Sequence, residues 1–521
     1  MIQILNKKTY KIFNFKKLNY FFLGIFSISV SIFYGYYGIF PIDSFLIFDS
    51  GYKVLNNIHP FKDYWSITGP ILDYIQASLF YFFDVNWFSY TLHAAIINCL
   101  LTTLIFYFLN KLGLKSKISF IFAVCLALLA YPSTGTPFMD HHAVIFSLIS
   151  LIFLILSIKN NKKKNWYLSS FFLVFSFFSK QIPSAYLVIF FLLVIFTNHI
   201  YFKNSKNIIY FIFGGVSALF FFILLFKFFD VPLNNFLVQY FFYPISIGEN
   251  RILNINFDFK NTISQFKFLH FSILFLLASS IFSYFKNKEK IDFFILLIVI
   301  ISNFIFIYTQ IITKNQILIF FLIPFNLAIS YFYFKKYYNK KLILLLIFLI
   351  LLISTIKFHY RFNEGKKFIE LENIDIKNNS INAVILDNKL KGLNWITRDF
   401  QTNPKDELEM LNNIKKLLMI EKNNKIIITD YQILSALIDS NFFTPNKWFD
   451  NLSVPDEKNK YFLIYKDFFI SKLKEQKIKN VYIVGQEKFE LFIVIFNDKK
   501  NCFTSVKINE SLIVLDIENC Y

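Results

Sequence analysis

Acidic side chains are concentrated in one short polar segment that begins just after the first long apolar run of the chain. Asp49 opens the stretch DSGY, and Asp63 closes the stretch HPFKD. A carboxylate within hydrogen-bonding distance of a hydroxyl group can remove its proton. Asp49 and Asp63, which lie close to this apolar run, are therefore the first candidates for acid–base chemistry.

Three basic residues lie close to the ends of later apolar runs. They are Lys180, Arg251 and Lys314. Lysine and arginine bind phosphate through charge-assisted hydrogen bonds, so each is a candidate contact for a phosphate group. The alternative is that each is an anchor, because long basic side chains at span ends often extend to the polar interface.

Asp140 stands before two histidines, His141 and His142, where another apolar run begins. Adjacent side chains on a helix point about 100° apart, so both rings reach one metal ion only with difficulty. We therefore predict no metal site and no cofactor, although the sequence does not exclude a divalent ion. Asp140 is a candidate supporting acid or a helix N-cap, and Asp63 is a second candidate supporting acid.

Most of the chain is apolar. Hydrophobic residues make up 56% of its 521 residues, and the mean hydropathy is +0.49, well above that of a soluble domain. A membrane-spanning helix needs roughly 20 apolar residues, with latitude for shorter runs. About eleven predicted spans fall at 18–40, 87–109, 118–131, 142–158, 166–179, 182–202, 207–229, 268–285, 292–312, 316–334 and 342–356.

Lysine and arginine set the predicted orientation, because cytoplasmic loops carry an excess of them. The excess is consistent along the chain if the N-terminus lies in the cytoplasm and the C-terminus outside. Most of the net charge of +20 then belongs to the short cytoplasmic loops, so it is not a nucleic-acid signal. Most acids of the apolar region lie on the opposite side, which indicates an outward-facing site.

Two short helices are predicted to hold the acidic segment. Apolar residues between Phe45 and Leu55 suit a helix that lies in the membrane interface, and His59-Pro60 ends it. Gly69-Pro70 then begins a second helix from Ile71 to Phe83, because proline suits the first helical turn.

This segment resembles the first loop of the GT-C membrane glycosyltransferases. Its pattern is an Asp, an aromatic three residues later (Tyr52), His-Pro-Phe-x-Asp, and Gly-Pro before an amphipathic helix. More closely, it looks like the bacterial branch of that superfamily that is similar to protein O-mannosyltransferases and lipid A aminoarabinose transferases. Three later stretches agree in order and sidedness: Asp140-His141-His142-Ala143, Ser179-Lys180-Gln181 and Thr313-Lys314-Asn315-Gln316.

The resemblance covers roughly residues 1–356 and implies a multi-span helical bundle with a sugar donor on a polyprenyl phosphate. It also implies that the first-loop Asp, here Asp49, is the general base. One departure stands out. Aminoarabinose transferases have a Lys before the loop proline, whereas this chain has Thr68-Gly69-Pro70. A phosphate contact must therefore come from elsewhere, and the sugar need not be aminoarabinose.

The region from residue 357 has the composition of a soluble domain. Short apolar runs at 383–387, 425–430, 481–485 and 512–516 alternate with helical patterns, which predicts a small α/β domain with a mainly parallel sheet. Cys502 and Cys520 lie outside the spans and could form a disulfide in an oxidising compartment.

The sequence thus predicts a polytopic α-helical membrane protein, with a transmembrane catalytic domain at 1–356 and an extracytoplasmic α/β domain at 357–521. We expect a glycosyltransferase in a bacterial cytoplasmic membrane, acting on a lipid, glycan or protein acceptor at the outer face. Tyr52, His59 and His142 are candidate contacts for the acceptor or sugar. The alternative is a transporter or flippase for a lipid-linked saccharide, although few charges lie within the spans and no internal repeat is visible.

Overall fold

The computed structural model describes residues 2–202, 206–255, 257–287, 290–314, 319–440, 442–497, 502–508 and 511–520, with side chains from residue 17 onward except at 202, 206, 286 and 287. The helices are α1 Ile2–Gly35, α2 Pro41–Ser44, α3 Leu46–Leu55, α4 Ile71–Phe83, α5 Trp87–Leu112, α6 Ser116–Leu129, α7 Met139–Asn160, α8 Lys163–Phe177, α9 Ser184–Phe202, α10 Lys206–Phe228, α11 Leu233–Phe236, α12 Tyr243–Leu253, α13 Lys267–Asn287, α14 Lys290–Thr313, α15 Leu322–Tyr337, α16 Lys341–His359, α17 Ile376–Asn379, α18 Pro404–Ile420, α19 Leu434–Leu437, α20 Phe462–Glu475 and α21 Gln486–Ile495. The strands are β1 Ile381–Asn382, β2 Asn394–Trp395, β3 Lys425–Ile428, β4 Asn480–Val484, β5 Thr504–Lys507 and β6 Leu512–Asp516.

In the described part of the chain, nine helical stretches are long and apolar enough to cross a membrane. They are Lys17–Gly35, Trp87–Leu112, Ser116–Ser133, Met139–Asn160, Ser184–Tyr201, Asn207–Phe228, Lys267–Phe285, Lys290–Thr313 and Lys341–Ile369. Each coincides with one of the eleven predicted runs. The other two runs coincide with α8 and α15, which have 15 and 16 residues and are shorter than a full span. The predicted orientation stays a prediction.

The chain forms two compact units. The first comprises Met1–Tyr36, Thr91–Phe221 and Asn254–Asn373, and the second comprises Tyr37–Tyr90, Phe222–Leu253 and Ile374–Tyr521. The second unit therefore contains both the acidic segment and most of the C-terminal region. The division at residue 356, which the sequence predicts from hydropathy, stays a prediction.

Small hydroxyl side chains allow close packing in the first unit. Helix α7 is almost completely buried, and it lies against α8. The hydroxyls of Ser147 and Ser176 are 2.7 Å apart, and the Ser150 hydroxyl donates to the Ser169 carbonyl at 2.5 Å. Small residues let two helix backbones approach where lipid gives no hydrophobic drive for association.

The two predicted helices of the acidic segment are confirmed. Helix α4 begins at Ile71, directly after Pro70, as predicted. Helix α3 ends at Leu55 because the next residues leave the helical conformation, Asn57 with a φ of 62°. Gly51 allows the two helices to approach closely, since a Cβ built on Gly51 would lie 2.5 Å from Cγ of Gln76 on α4.

A four-stranded sheet in the order β3-β4-β6-β5 forms the centre of the C-terminal region. Strands β3 and β4 are parallel, whereas β4 pairs with β6, and β6 with β5, in antiparallel fashion. The prediction of a mainly parallel sheet is therefore wrong. Only four residues separate β5 from β6, and so short a connection can join antiparallel strands but not parallel ones. Cys502 and Cys520, on either side of these two strands, are joined by a disulfide.

The predicted strand at 383–387 is also wrong, because Ala383–Ile385 is a short 3₁₀ helix. Side-chain oxygens bind the backbone on both sides of it. Asn382 accepts from the Val384 N–H at 3.0 Å, and Asp387 accepts from the Lys389 N–H at 2.9 Å. Such local bonds compete with a strand ladder and favour turns.

The core of the C-terminal region includes one residue from the acidic segment, Trp65. Its ring is 1% exposed and lies edge-on to Tyr465 of α20, with ring centres 5.2 Å apart. The Trp65 backbone also pairs with the segment before α20, donating to Pro445 O at 3.1 Å and accepting from Lys447 N at 2.9 Å. These bonds fix the acidic segment on the C-terminal part of the second unit.

We predict that Gly51→Ala destabilises the protein by about 1–3 kcal/mol, because the added methyl group overpacks the contact between α3 and α4. The measurement is thermal unfolding of the purified protein in detergent. Gly248→Ala is the matched control, since no atom lies within 4 Å of a Cβ built at that helical position. An equal effect of both substitutions would contradict this account of Gly51.

Candidate active site

Asp49 lies in the first turns of α3, and its side chain is almost completely buried. Lys53 is four residues later on the same helix face, and its Nζ lies 2.8 Å from Asp49 Oδ2. Ser435, at α19, donates its hydroxyl hydrogen to Asp49 Oδ1 at 3.2 Å. Both oxygens of the candidate base are thus held in place by neighbouring donors.

Lys53 is itself fully bonded. Its ammonium group donates to the backbone oxygens of Thr444, at 3.1 Å, and Asn446, at 3.4 Å, in addition to its bond with Asp49. It also lies 5.1 Å from the centre of the Tyr64 ring, which is a cation–π contact. The orientation of the Lys53 ammonium group therefore depends on the backbone between α19 and α20.

A second buried ion pair lies next to the first. Lys447 Nζ is 2.6 Å from Asp73 Oδ1, and both side chains are buried. The same carboxylate accepts from the Ser50 hydroxyl at 2.8 Å and from the Tyr64 hydroxyl at 2.9 Å. Ser50 follows Asp49 directly, so the two pairs share one neighbourhood.

Burial and charge act against each other on these groups. Burial raises the pKa of the Asp49 carboxyl and the Asp73 charge adds to this, while Lys53 and Ser435 oppose it. Burial lowers the pKa of the Lys447 ammonium, and Asp73 opposes that effect. Two carboxylates and two ammonium groups give the cluster no net charge, which limits the cost of burying it.

Asp63, the predicted supporting acid, caps its own turn. Its Oδ2 accepts from the His59 N–H at 2.8 Å, and burial raises the pKa of this carboxyl. His59 stacks on Phe229, with ring centres 4.0 Å apart, and burial lowers the pKa of its imidazole to about 4. His59 is thus neutral at pH 7 and held between aromatic rings. Tyr52, the other predicted sugar contact, is 5% exposed and packs edge-on against Phe443.

Asp140 and Lys180, which the sequence placed in separate roles, form one ion pair in the first unit. Lys180 Nζ lies 2.6 Å and 2.7 Å from the two Asp140 oxygens. Lys180 follows α8, whereas Asp140 is the second residue of α7, so the packing of these helices brings the two together. Asp140 makes no side-chain N-cap bond, because it lies inside the helix.

His142 points away from this pair into a buried chain of rings. Its Nε2 lies 3.0 Å from His93 Nε2, and its Nδ1 is hydrogen-bonded to the Tyr131 hydroxyl. His141 instead contacts the Thr134 hydroxyl at 3.1 Å. The two adjacent histidines thus diverge, as expected for a helix. The described residues contain no group of three or more His, Cys, Asp or Glu side chains arranged around one point.

The other two candidate phosphate contacts lie at the ends of helices. Arg251 is half-buried in the last turn of α12. Lys314 is exposed just after α14, with a φ of 60°. Asn315 and Gln316, which follow it in the fourth stretch of the family pattern, lie outside the described residues.

Sequence reasoning missed Lys53, Asp73, Ser435 and Lys447. The spacing of Asp49 and Lys53, four residues apart in a predicted helix, is a signal for an ion pair that could have been used. Asp73 follows Pro70 in the first turn of a predicted helix, but this position alone is typical of a helix start. No local pattern indicates Ser435 or Lys447, because their partners lie 386 and 374 residues away.

No protein-family model and no curated protein matches the sequence. Solved structures to which the chain is similar include the archaeal oligosaccharyltransferase AglB from Archaeoglobus fulgidus, in complex with an inhibitory peptide and a dolichol-phosphate. The identity is 12% and the TM-score 0.37, over 90% of this chain and 70% of that one. They also include ArnT from Cupriavidus metallidurans bound to undecaprenyl phosphate, with 9% identity and a TM-score of 0.41, over 94% of this chain and 97% of that one.

As their names state, the first of these structures is an oligosaccharyltransferase with a bound dolichol-phosphate, and the second contains undecaprenyl phosphate. At this level of identity and TM-score the likeness carries no argument about activity. The function is therefore argued from the residues and their contacts.

We predict that Lys447→Met destabilises the protein by about 3–5 kcal/mol, because it leaves the buried Asp73 carboxylate without its cation. Thermal unfolding in detergent measures the effect. Lys405→Met is the matched control, since Lys405 forms an exposed pair with Glu409 at 3.6 Å and such pairs contribute little. A Lys447 variant as stable as the control would show that the second ion pair does not hold the unit together.

Proposed function

We propose that this protein is a membrane glycosyltransferase of the GT-C type, which moves a sugar from a polyprenyl phosphate to a hydroxyl group of an acceptor. The observation that carries the proposal is the setting of Asp49. It is an acid in the first loop, at the position of the family's base, and its carboxylate is held by Lys53 and Ser435. The acceptor is a lipid, a glycan or a protein, and no cofactor is required by this chemistry.

Asp49 would act as the general base. As the acceptor oxygen attacks the anomeric carbon, its proton passes to the Asp49 carboxylate, while the bond from that carbon to the phosphate oxygen breaks. Burial raises the pKa of Asp49, which makes the carboxylate a better proton acceptor. Lys53 keeps the group ionised before the reaction, because its ammonium charge favours the carboxylate.

The leaving phosphate carries negative charge and needs a cation. Lys180 is the best supported of the three candidates, because its ammonium group is already held in a fixed place by Asp140. A donor phosphate would share Lys180 with this carboxylate, and Asp140 would thus position the cation. Arg251 and Lys314 remain candidates at helix ends, where basic side chains also serve as anchors.

The reaction would take place at the outer face of a bacterial cytoplasmic membrane. The distribution of basic residues places the acidic segment and the C-terminal region on that side. The disulfide between Cys502 and Cys520 supports the same orientation, since disulfides persist in oxidising compartments and are rare in the cytosol.

We predict that Asp49→Asn lowers the rate of transfer by about 10²–10⁴-fold, because the amide cannot accept the proton. The measurement is transfer of labelled sugar from a polyprenyl-phosphate donor extract to membrane acceptors, with the full chain in its membrane. Asp467→Asn, at an exposed position of α20, is the control and should retain full activity. Undiminished transfer by a folded Asp49 variant would overturn its role as base. No transfer by the unaltered protein, with export of a lipid-linked saccharide instead, would favour a transporter.

We predict that Lys180→Met raises the KM for the donor more than it lowers kcat, because a ground-state contact to the phosphate is lost. Lys180→Arg retains the charge and should keep most of the donor affinity. Initial rates over a range of donor concentrations separate the two effects. An unchanged KM in the methionine variant, with folding intact, would assign the phosphate to another cation.

A further inference from the structure

A small pocket lies beside Asp49 within the second unit. Its walls are formed by Asp49, Lys53, Ile427, Ile428, Thr429, Gln432, Ser435, Phe442, Phe443, Thr444, Asn446 and Phe449. Its volume is about 20 Å³, which is room for a single water molecule. The wall therefore combines the candidate base and its lysine with uncharged polar groups from the C-terminal region.

Two amide oxygens in this wall have no hydrogen-bond donor among the described residues. They are Oε1 of Gln432 and Oδ1 of Asn446, and both atoms are buried. The amide nitrogens are used elsewhere, since Gln432 donates to Lys447 O and Asn446 donates to the Tyr465 hydroxyl, each at 2.9 Å. The first of these bonds fixes the orientation of the Gln432 amide, because a carbonyl can only accept. A buried acceptor without a donor is unfavourable, so the pocket is built for a group that donates hydrogen bonds.

The size and charge of the pocket select the donor. The pocket has room for a water molecule, and the ammonium group of Lys53 already supplies the positive charge beside Asp49. A second cation would be repelled by Lys53, whereas a neutral hydroxyl-type ligand is not. Water has two donor hydrogens, which matches the carboxylate and an amide oxygen, and it can also accept from a hydroxyl group.

We propose that this pocket is a binding site for one water molecule, which donates to the Asp49 carboxylate and to Gln432. The water and Ser435 are then positioning groups, which hold the base in the ionised form and in one orientation. The inference rests on the proposed function, because it assigns a role toward Asp49 as base. It gives the region from Ile374 to Tyr521 a direct part in the reaction.

Other titratable groups act on Asp49 and remain the same in the variants that test this proposal. They are Lys53 and Tyr52 on α3, Tyr64 in the loop, Asp73 on α4, and Lys447 before α20. Ser435→Ala removes one hydrogen-bond donor to Asp49. Gln432→Met removes the acceptor that holds the water, so the bond from the water to Asp49 is lost as well. The loss of either donor favours the protonated form of Asp49. The protonated acid is inactive as a base, so the acid limb of the pH–rate profile moves to higher pH.

The test is the pH dependence of sugar transfer by Ser435→Ala and Gln432→Met in the full membrane-embedded chain. Each should move the acid limb upward by about half to one pH unit, the size expected for one lost hydrogen bond. Ser435→Thr keeps the hydroxyl and should restore the unaltered profile. Ser471→Ala and Gln401→Met are matched controls at exposed positions of the same region, and they should leave the profile unchanged.

An unshifted acid limb in both variants, in a protein that loses transfer on Asp49→Asn, would overturn the positioning role and leave the proposed function standing. A second readout does not need activity. An experimental structure at a resolution that shows ordered waters should contain one within hydrogen-bonding distance of Gln432 Oε1 and Asp49. A pocket that is closed by side chains in that structure would overturn the water site.

Discussion

Electrical neutrality inside the second unit is the condition on which the candidate site depends. Asp49, Lys53, Asp73 and Lys447 are all removed from water, and each would be costly to bury alone. They are tolerated because the charges occur as two contacting pairs, whose spare lone pairs and hydrogens are taken up by hydroxyls and backbone oxygens. Such a cluster contributes little net stability. Its geometry must nevertheless be maintained, because displacing one partner leaves the other as an unpaired buried charge. For the proposed role of Asp49 as a base, this means that the orientation of its carboxylate is fixed before a substrate binds.

The need to keep the two ion pairs together also explains several features of the surrounding backbone. Gly51 stands where α3 meets α4, so that the helix with Asp49 can lie close to the helix with Asp73. Trp65 anchors the intervening loop through both its ring and its backbone, next to the lysine that completes the second pair. The C-terminal region therefore contributes directly to the surroundings of Asp49 and Asp73. It supplies a cation, a hydroxyl group and the carbonyls that hold Lys53.

Helix boundaries that depend on neighbouring residues could be predicted from the sequence, whereas contacts between residues far apart in the chain could not. Helix α4 could be predicted to the residue, because Pro70 and the apolar periodicity both act within a few positions. The strand predicted at 383–387 failed, since side-chain oxygens at its ends bind the backbone in a turn, an effect that an apolar run hides. Asp49 was proposed as a base from the pattern around it, and that role stays a prediction. Lys447 could not be predicted, because nothing in the sequence around this loop lysine indicates that its partner is a carboxylate 374 residues earlier.

That separation has a consequence for biosynthesis. The acids of the first loop are made early, and the residues that complete their surroundings emerge only after some 370 further residues have been translated. At 5–20 residues per second, Asp73 waits about 20–75 s for Lys447. During this interval the loop cannot bury its charges, because Asp49 and Asp73 still lack Ser435 and Lys447. An interrupted polypeptide would thus lack the partners of Asp49 and Asp73 although the apolar helices before them in the chain have already been made.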